Sequence, residues 1–226
     1  MSKFKLKAKA LQEGLARDWL IWKKKRLPML TPYFLLSAAI FLFFVLLGYV
    51  LGVQDPGYGP ELMSELQEMI KYLFFMSDLE MTVFIWLNNS WVVFMAMVGG
   101  LLFGILPVVI LATNGLLIGL LMNVFASQGE RVFFLVSTLP HGVIELGAVF
   151  LGTAFGFLAA RKVFRRFNAG EEIEWRTVLS ELKQGFYLLF VILFLAAVIE
   201  VYITPLYIDL YELWGRELIG LFDLST

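Results

Sequence analysis

The sequence predicts an all-α protein, a polytopic transmembrane helix bundle of about five spans. Three observations predict it. Of the 226 residues, 60% are apolar and the mean hydropathy is +0.80. Charged residues make up only 16%, well below the roughly one quarter usual in soluble domains. Finally, five apolar runs are each long enough to cross a hydrocarbon core about 30 Å thick, which takes about 20 helical residues, and the charges gather between them rather than within them.

Residues 1–31 form a basic amphipathic segment with nine Lys or Arg against two acids. Leu11, Leu15, Trp19 and Trp22 make an apolar stripe suited to the membrane surface, and Lys23, Lys24, Lys25 and Arg26 suit anionic inner-leaflet lipids. No small-residue cleavage site follows a short apolar core, so the first span is expected to remain as an anchor. The transmembrane domain, 32–205, is expected to hold spans at 33–53, 81–106, 107–126, 132–160 and 185–204. Between Val83 and Ala126 no Lys, Arg, Asp or Glu marks a boundary, and Pro107 sets it: proline belongs in the first turn of a helix. A second amphipathic stripe, Leu62, Leu66, Met69, Ile70 and Leu73, separates spans one and two. A third, Tyr207, Leu210, Tyr211, Trp214, Leu218 and Leu221, lies in a tail at 206–226.

Charge fixes the expected orientation. The segment 161–184 has six cations against four acids, whereas 54–80 has one against six and 201–226 has one against four. The positive-inside rule then puts the N-terminus in the cytoplasm and the C-terminus outside. Pairs of glycines four residues apart, Gly48 with Gly52, Gly100 with Gly104, Gly115 with Gly119 and Gly152 with Gly156, imply close helix packing, within the chain or in a homo-oligomer.

Against this background two ionisable residues stand out. His141, the only histidine, and Glu145 are one helical turn apart in the fourth span, where an ionisable group costs at least ~2.5 kcal/mol. Counting 1.5 Å per residue from Arg161 puts Glu145 on the order of 24 Å from that end of the span. Counting from Lys183 puts Glu200 at about the same level, and Asn88 and Asn89 fall near it too. A pocket of His141, Glu145, Glu200, Asn88 and Asn89 follows, with Asn114 either part of a polar path inward or a helix irregularity. The alternatives are that the polar groups only fix packing, or that Glu200 snorkels to the surface beside Thr204 and Pro205. The fourth span is expected to break near Pro140, because an unbroken helix from Val132 to Ala160 exceeds the core thickness. A helix start there would aim free N–H groups into the pocket and favour an anionic Glu145 beside a neutral His141.

The run LPHGVIELGA from Leu139 to Ala148, the segment ATNGLLIG from Ala112 to Gly119 and LNNS at 87–90 resemble the stage II sporulation protein M family over roughly residues 30–205. The resemblance points to Pro140, His141, Gly142, Glu145, Asn114 and Gly115 as pattern positions. It implies a prokaryotic cytoplasmic (inner) membrane location and, in spore formers, work beside a peptidoglycan-degrading partner as a membrane is moved around the forespore. It supplies no biochemical activity.

Three function classes remain. Proton- or cation-linked permeation or translocation of a small polar or lipid-linked solute leads. A non-enzymatic scaffold for other membrane or envelope proteins is second. An intramembrane metal-dependent hydrolase using His141, Glu145 and Glu200 is third, without a supporting motif. The chain has no cysteine, so thiolate chemistry and disulfides are excluded. No cofactor motif, phosphate loop or nucleic-acid surface is present, and the partner that composition demands is the lipid bilayer.

Overall fold

The computed structural model describes residue 24 and residues 26–55, 57–71 and 75–215. Helix α1 spans Leu27–Gln54, with proline in its first turn, where the missing N–H is no loss. Helix α2 is Tyr58–Ile70, α3 Asp78–Gly99, α4 Ile105–Ser127, α5 Arg131–Ala169 and α6 Trp175–Val198. The chain then widens by one residue through Ile199–Ile203 and continues as α7, Thr204–Leu210, and a further wide turn at Tyr211–Gly215. No strand occurs among the described residues. Five helical runs are long and apolar enough to cross a membrane: α1, α3, α4, α5 and the run from Trp175 to Trp214.

The turn between α3 and α4 sits at 100–104, a few residues before Pro107, which falls in the first turn of α4. Phe103 and Gly104 both have positive φ there, 55° and 77°, which reverses the chain in a few residues. Helix α3 begins with a reciprocal cap: the Ser77 side chain accepts from the Glu80 N–H, and Glu80 accepts from the Ser77 N–H at 2.8 Å. Replacing Ser77 with Ala should therefore cost about 1 kcal/mol, read as faster amide exchange in the first turn of α3; unchanged exchange would refute the cap.

Helix α5 is central. It packs against α1, α3, α4, α6 and α7, while α1 lies chiefly along α4 and α3 along α6. Leu30, Val93, Met97, Phe155, Leu158, Leu182, Leu189 and Leu193 form the buried core among these helices. Polar pins fix the layers. The indole N–H of Trp86 on α3 donates to the Phe190 carbonyl on α6 at 2.8 Å. The buried Thr153 hydroxyl on α5 donates to Ser37 Oγ on α1 at 2.8 Å, and Ser37 donates on to the Tyr33 carbonyl.

The glycine pairs are consumed inside the chain. A Cβ on Gly119 would lie 2.1 Å from the Val45 carbonyl oxygen, and one on Gly48 would lie 2.3 Å from that of Leu116, so α1 and α4 touch backbone to backbone. Gly115 meets the Phe41 carbonyl the same way, at 2.7 Å. Gly156 approaches the Ala96 carbonyl and Gly152 the Val93 side chain, seating α5 on α3.

Two expectations are corrected. The fourth span does not break at Pro140: α5 runs unbroken for 39 residues with the proline inside it. Proline removes one N–H and crowds one carbonyl, and a helix clamped by five neighbours absorbs that loss, as membrane helices commonly do. The C-terminal stripe is likewise no separate surface element; Tyr207–Trp214 continues the fifth span, and the Tyr211 ring packs 6.1 Å from that of Phe133 near the start of α5. The stripe from Leu11 to Trp22, together with Leu73, Leu218 and Leu221, lies outside the described residues.

At the basic end a cavity of about 530 Å³ opens between α5 and α6, lined in part by Arg161, Lys162, Arg165 and Arg166. Lys162 pairs with Glu181, and Arg166 with Glu174 at 3.0 Å. The hydrogen bond from Arg166, then its charge, then the Thr177 hydroxyl hold the Glu174 carboxyl below its usual range. A depressed acid stabilises the fold above its unfolded value, and that contribution disappears as pH falls through the lowered folded value. Because Glu174 is exposed, the effect is small and screened by salt. Amide protection at the start of α6 should accordingly weaken on acidification below the ordinary carboxylate range, and Glu174→Gln should abolish that pH dependence; a Gln variant with the wild-type profile would rule the pair out as its source.

Candidate functional site

The fold brings three of the polar residues into one cluster. His141 and Glu145 lie on one face of α5, as four-residue spacing dictates. Glu200 reaches them from the wide turn Ile199–Ile203 within the fifth span. One ligand atom from each of His141, Glu145 and Glu200 lies within 4.8 Å of the other two, and all three residues are half-buried. Asn89 of α3 closes a third side, its amide donating to Glu145 Oε1.

The local chain explains how Glu200 arrives there. Pro205 has no N–H and its ring crowds the carbonyl four residues back. The helix accommodates it by widening: the Thr204 N–H bonds to the Ile199 carbonyl, five residues earlier instead of four. One-turn insertions of this kind shift the angular position of the side chains beyond them and occur often at functional sites. Here the wide turn holds Glu200 and delivers Thr204, buried, to the imidazole, with His141 Nδ1 3.2 Å from Thr204 Oγ1.

The Thr204 hydroxyl lies 3.2 Å from both the Ile199 carbonyl oxygen and His141 Nδ1. With its hydrogen on the carbonyl it accepts from an Nδ1–H, and with its hydrogen on Nδ1 the imidazole N–H sits on Nε2. Glu145 has the Asn89 amide as donor, whereas the Glu200 carboxylate has no hydrogen-bond donor among the described residues. Two carboxyl groups and an imidazole with one ligand atom each within 4.8 Å of one another make a site that attracts a cation or a proton.

The remaining sequence candidates stand apart. Asn88 is exposed and reaches only Asn89, at 3.5 Å; one residue along a helix is a rotation of about 100°, so both cannot face the pocket. Asn114 donates to the Ile110 carbonyl of its own helix at 2.8 Å, beside Gly115 on α4. The helix runs unbroken through this Asn-Gly pair, and the side chain is used within its own helix. Gly142 is buried, yet a Cβ there would meet only Thr138 Cγ2 at an ordinary 3.4 Å. Pro140 is an interior residue of α5, and with no helix start beside the pocket the expected bias of free N–H groups on Glu145 and His141 is absent. The residue that sequence reasoning missed is Thr204. A threonine four residues after Glu200 and followed by proline was the available signal, but regular spacing does not reveal the widened turn.

The polar cluster and its supports fall within the segment shared with known proteins. A family model described as stage II sporulation protein M matches residues 37–205, which include Asn89, His141, Glu145, Glu200 and Thr204. An uncharacterized protein of Methanocaldococcus jannaschii is 28% identical over 120 residues, covering 52% of this chain and 67% of that protein. No solved structure matches. With three quarters of its length under the family model and the proline-histidine-glycine motif inside that match, the chain is an integral membrane protein of the stage II sporulation protein M family.

Proposed function

We propose that the His141–Glu145–Glu200 pocket binds a proton or a cation and links it to the movement of a small polar or lipid-linked solute through a prokaryotic inner membrane. The observation that carries this reading is the convergence of the three groups from two separate spans to within 4.8 Å. The charge distribution supports a cytoplasmic N-terminus and an outer-leaflet position for the pocket. Reconstituted in vesicles, the wild-type protein should show a flux that depends on pH or on a cation gradient, and Glu145→Gln, which preserves the bond from Asn89, should abolish it while the protein still folds. No flux in the wild type, or unchanged flux in the variant, would remove the proposal.

A scaffold role is the second reading, favoured by the contacts that tie Asn89 to Glu145 and His141 to Thr204 and so lock three spans together. On that reading Glu145→Gln shifts thermal stability, assembly with envelope proteins or self-association, and flux plays no part.

A further inference from the structure

We infer that the pocket is a site for one divalent first-row transition-metal ion, held by Nε2 of His141 and one carboxylate oxygen each from Glu145 and Glu200. The inference rests on the cation-binding reading above and gives that cation a chemical class.

Charge narrows the class first. Two carboxylates and a neutral imidazole sum to −2, so a divalent ion leaves the cluster neutral in hydrocarbon, whereas a monovalent ion leaves a net charge at membrane depth. Ligand chemistry narrows it further. Magnesium and calcium prefer all-oxygen shells, while an imidazole nitrogen suits zinc and its transition-metal neighbours. Imidazole nitrogen and carboxylate oxygen are both ligands that zinc takes, and three protein ligands with an open fourth position are the pattern of its reactive sites.

The surrounding groups fit the same ion. A metal-bound histidine ordinarily donates its other N–H to a fixed acceptor, which sets the tautomer and orients the ring. With Nε2 as the ligand, His141 Nδ1 has Thr204 Oγ1 at 3.2 Å as its acceptor, and that hydroxyl lies 3.2 Å from the Ile199 carbonyl, which is an arrangement of that kind. Asn89 serves Glu145 similarly, fixing one oxygen and leaving the other available. Bound donors around such an ion sit roughly 3.4 Å apart at bond lengths near 2.1 Å. The ligand atoms lie within 4.8 Å of one another, so on binding they have to draw together by up to about 1.4 Å.

The test uses the full chain in detergent, stripped with a chelator and titrated with zinc or manganese ions by calorimetry, with elemental analysis after dialysis. We expect one ion per chain, binding lost in Glu200→Gln and Glu145→Gln, and affinity reduced about 10–100-fold with unchanged stoichiometry in Thr204→Val. Thr204 is a positioning residue, and a loss of affinity at constant stoichiometry separates that role from a general loss of fold. Melting temperature and gel-filtration profile establish that each variant is folded, and Glu200→Gln, which removes no protein hydrogen bond, serves if Glu145→Gln does not fold. No stoichiometric ion in the wild type, or binding that survives in Glu200→Gln, overturns the inference. Vesicle flux keeps the two readings apart: proton-driven flux by metal-free protein would sink the metal site and leave permeation standing, while one bound ion without flux would do the reverse.

Discussion

Gly119→Val should prevent the chain from folding to its native state. A Cβ at this position lies 2.1 Å from the Val45 carbonyl oxygen and 2.8 Å from the Tyr49 nitrogen, and both obstacles are backbone, so no rotamer change relieves the clash. The helices must separate. Between helices in lipid there is little hydrophobic driving force to compensate, because association depends on close packing itself. The expected loss is at or beyond the ~3 kcal/mol upper range for overpacking, visible as aggregation or a much lower melting temperature in detergent. Gly147, on α5, is the matched control: a Cβ there meets nothing within 4 Å, and Gly147→Ala should leave the fold intact or stabilise it by up to ~1 kcal/mol through helix propensity. Equal melting temperatures for Gly119→Val and wild type would mean that α1 and α4 do not touch at this point.

Glu145→Gln and Glu200→Gln should each reduce flux by more than about 100-fold, and the double variant should be no worse than either alone. Groups that bind one ion or share one proton act as a unit, so removing the second after the first costs little. Asn89→Leu should lose less, about tenfold, because it supports a ligand without being one. Strictly additive losses in the double variant would show that the two acids work independently and would argue against a common site.

The legible parts of the fold were those written in hydrophobicity and charge. Five apolar runs gave five spans, because burying ~20 residues in hydrocarbon leaves a helix little alternative. The matching level of Glu145 and Glu200 along their helices was also readable, since rise per residue is constant along a helix. Angular position was harder. Asn88 and Asn89 share a depth but not a face, and only the packing of α3 on α5 selects Asn89. Pro140 and Pro205 show why local rules stop short: the first leaves its helix unbroken and the second widens it, a difference set by what packs around each rather than by proline itself. The glycine pairs announced close contact without naming the partner, because a stripe of small residues carries no information about what lies opposite.

The unbroken course of α5 has a mechanical consequence. At ~1.5 Å per residue its 39 residues make a rod about 58 Å long, nearly twice the thickness of the hydrocarbon core. His141 and Glu145 lie towards one end of this rod, and Arg161, Arg165 and Arg166 lie towards the other. The polar pocket and the basic cluster are therefore held at a fixed spacing of about 30 Å along one continuous backbone.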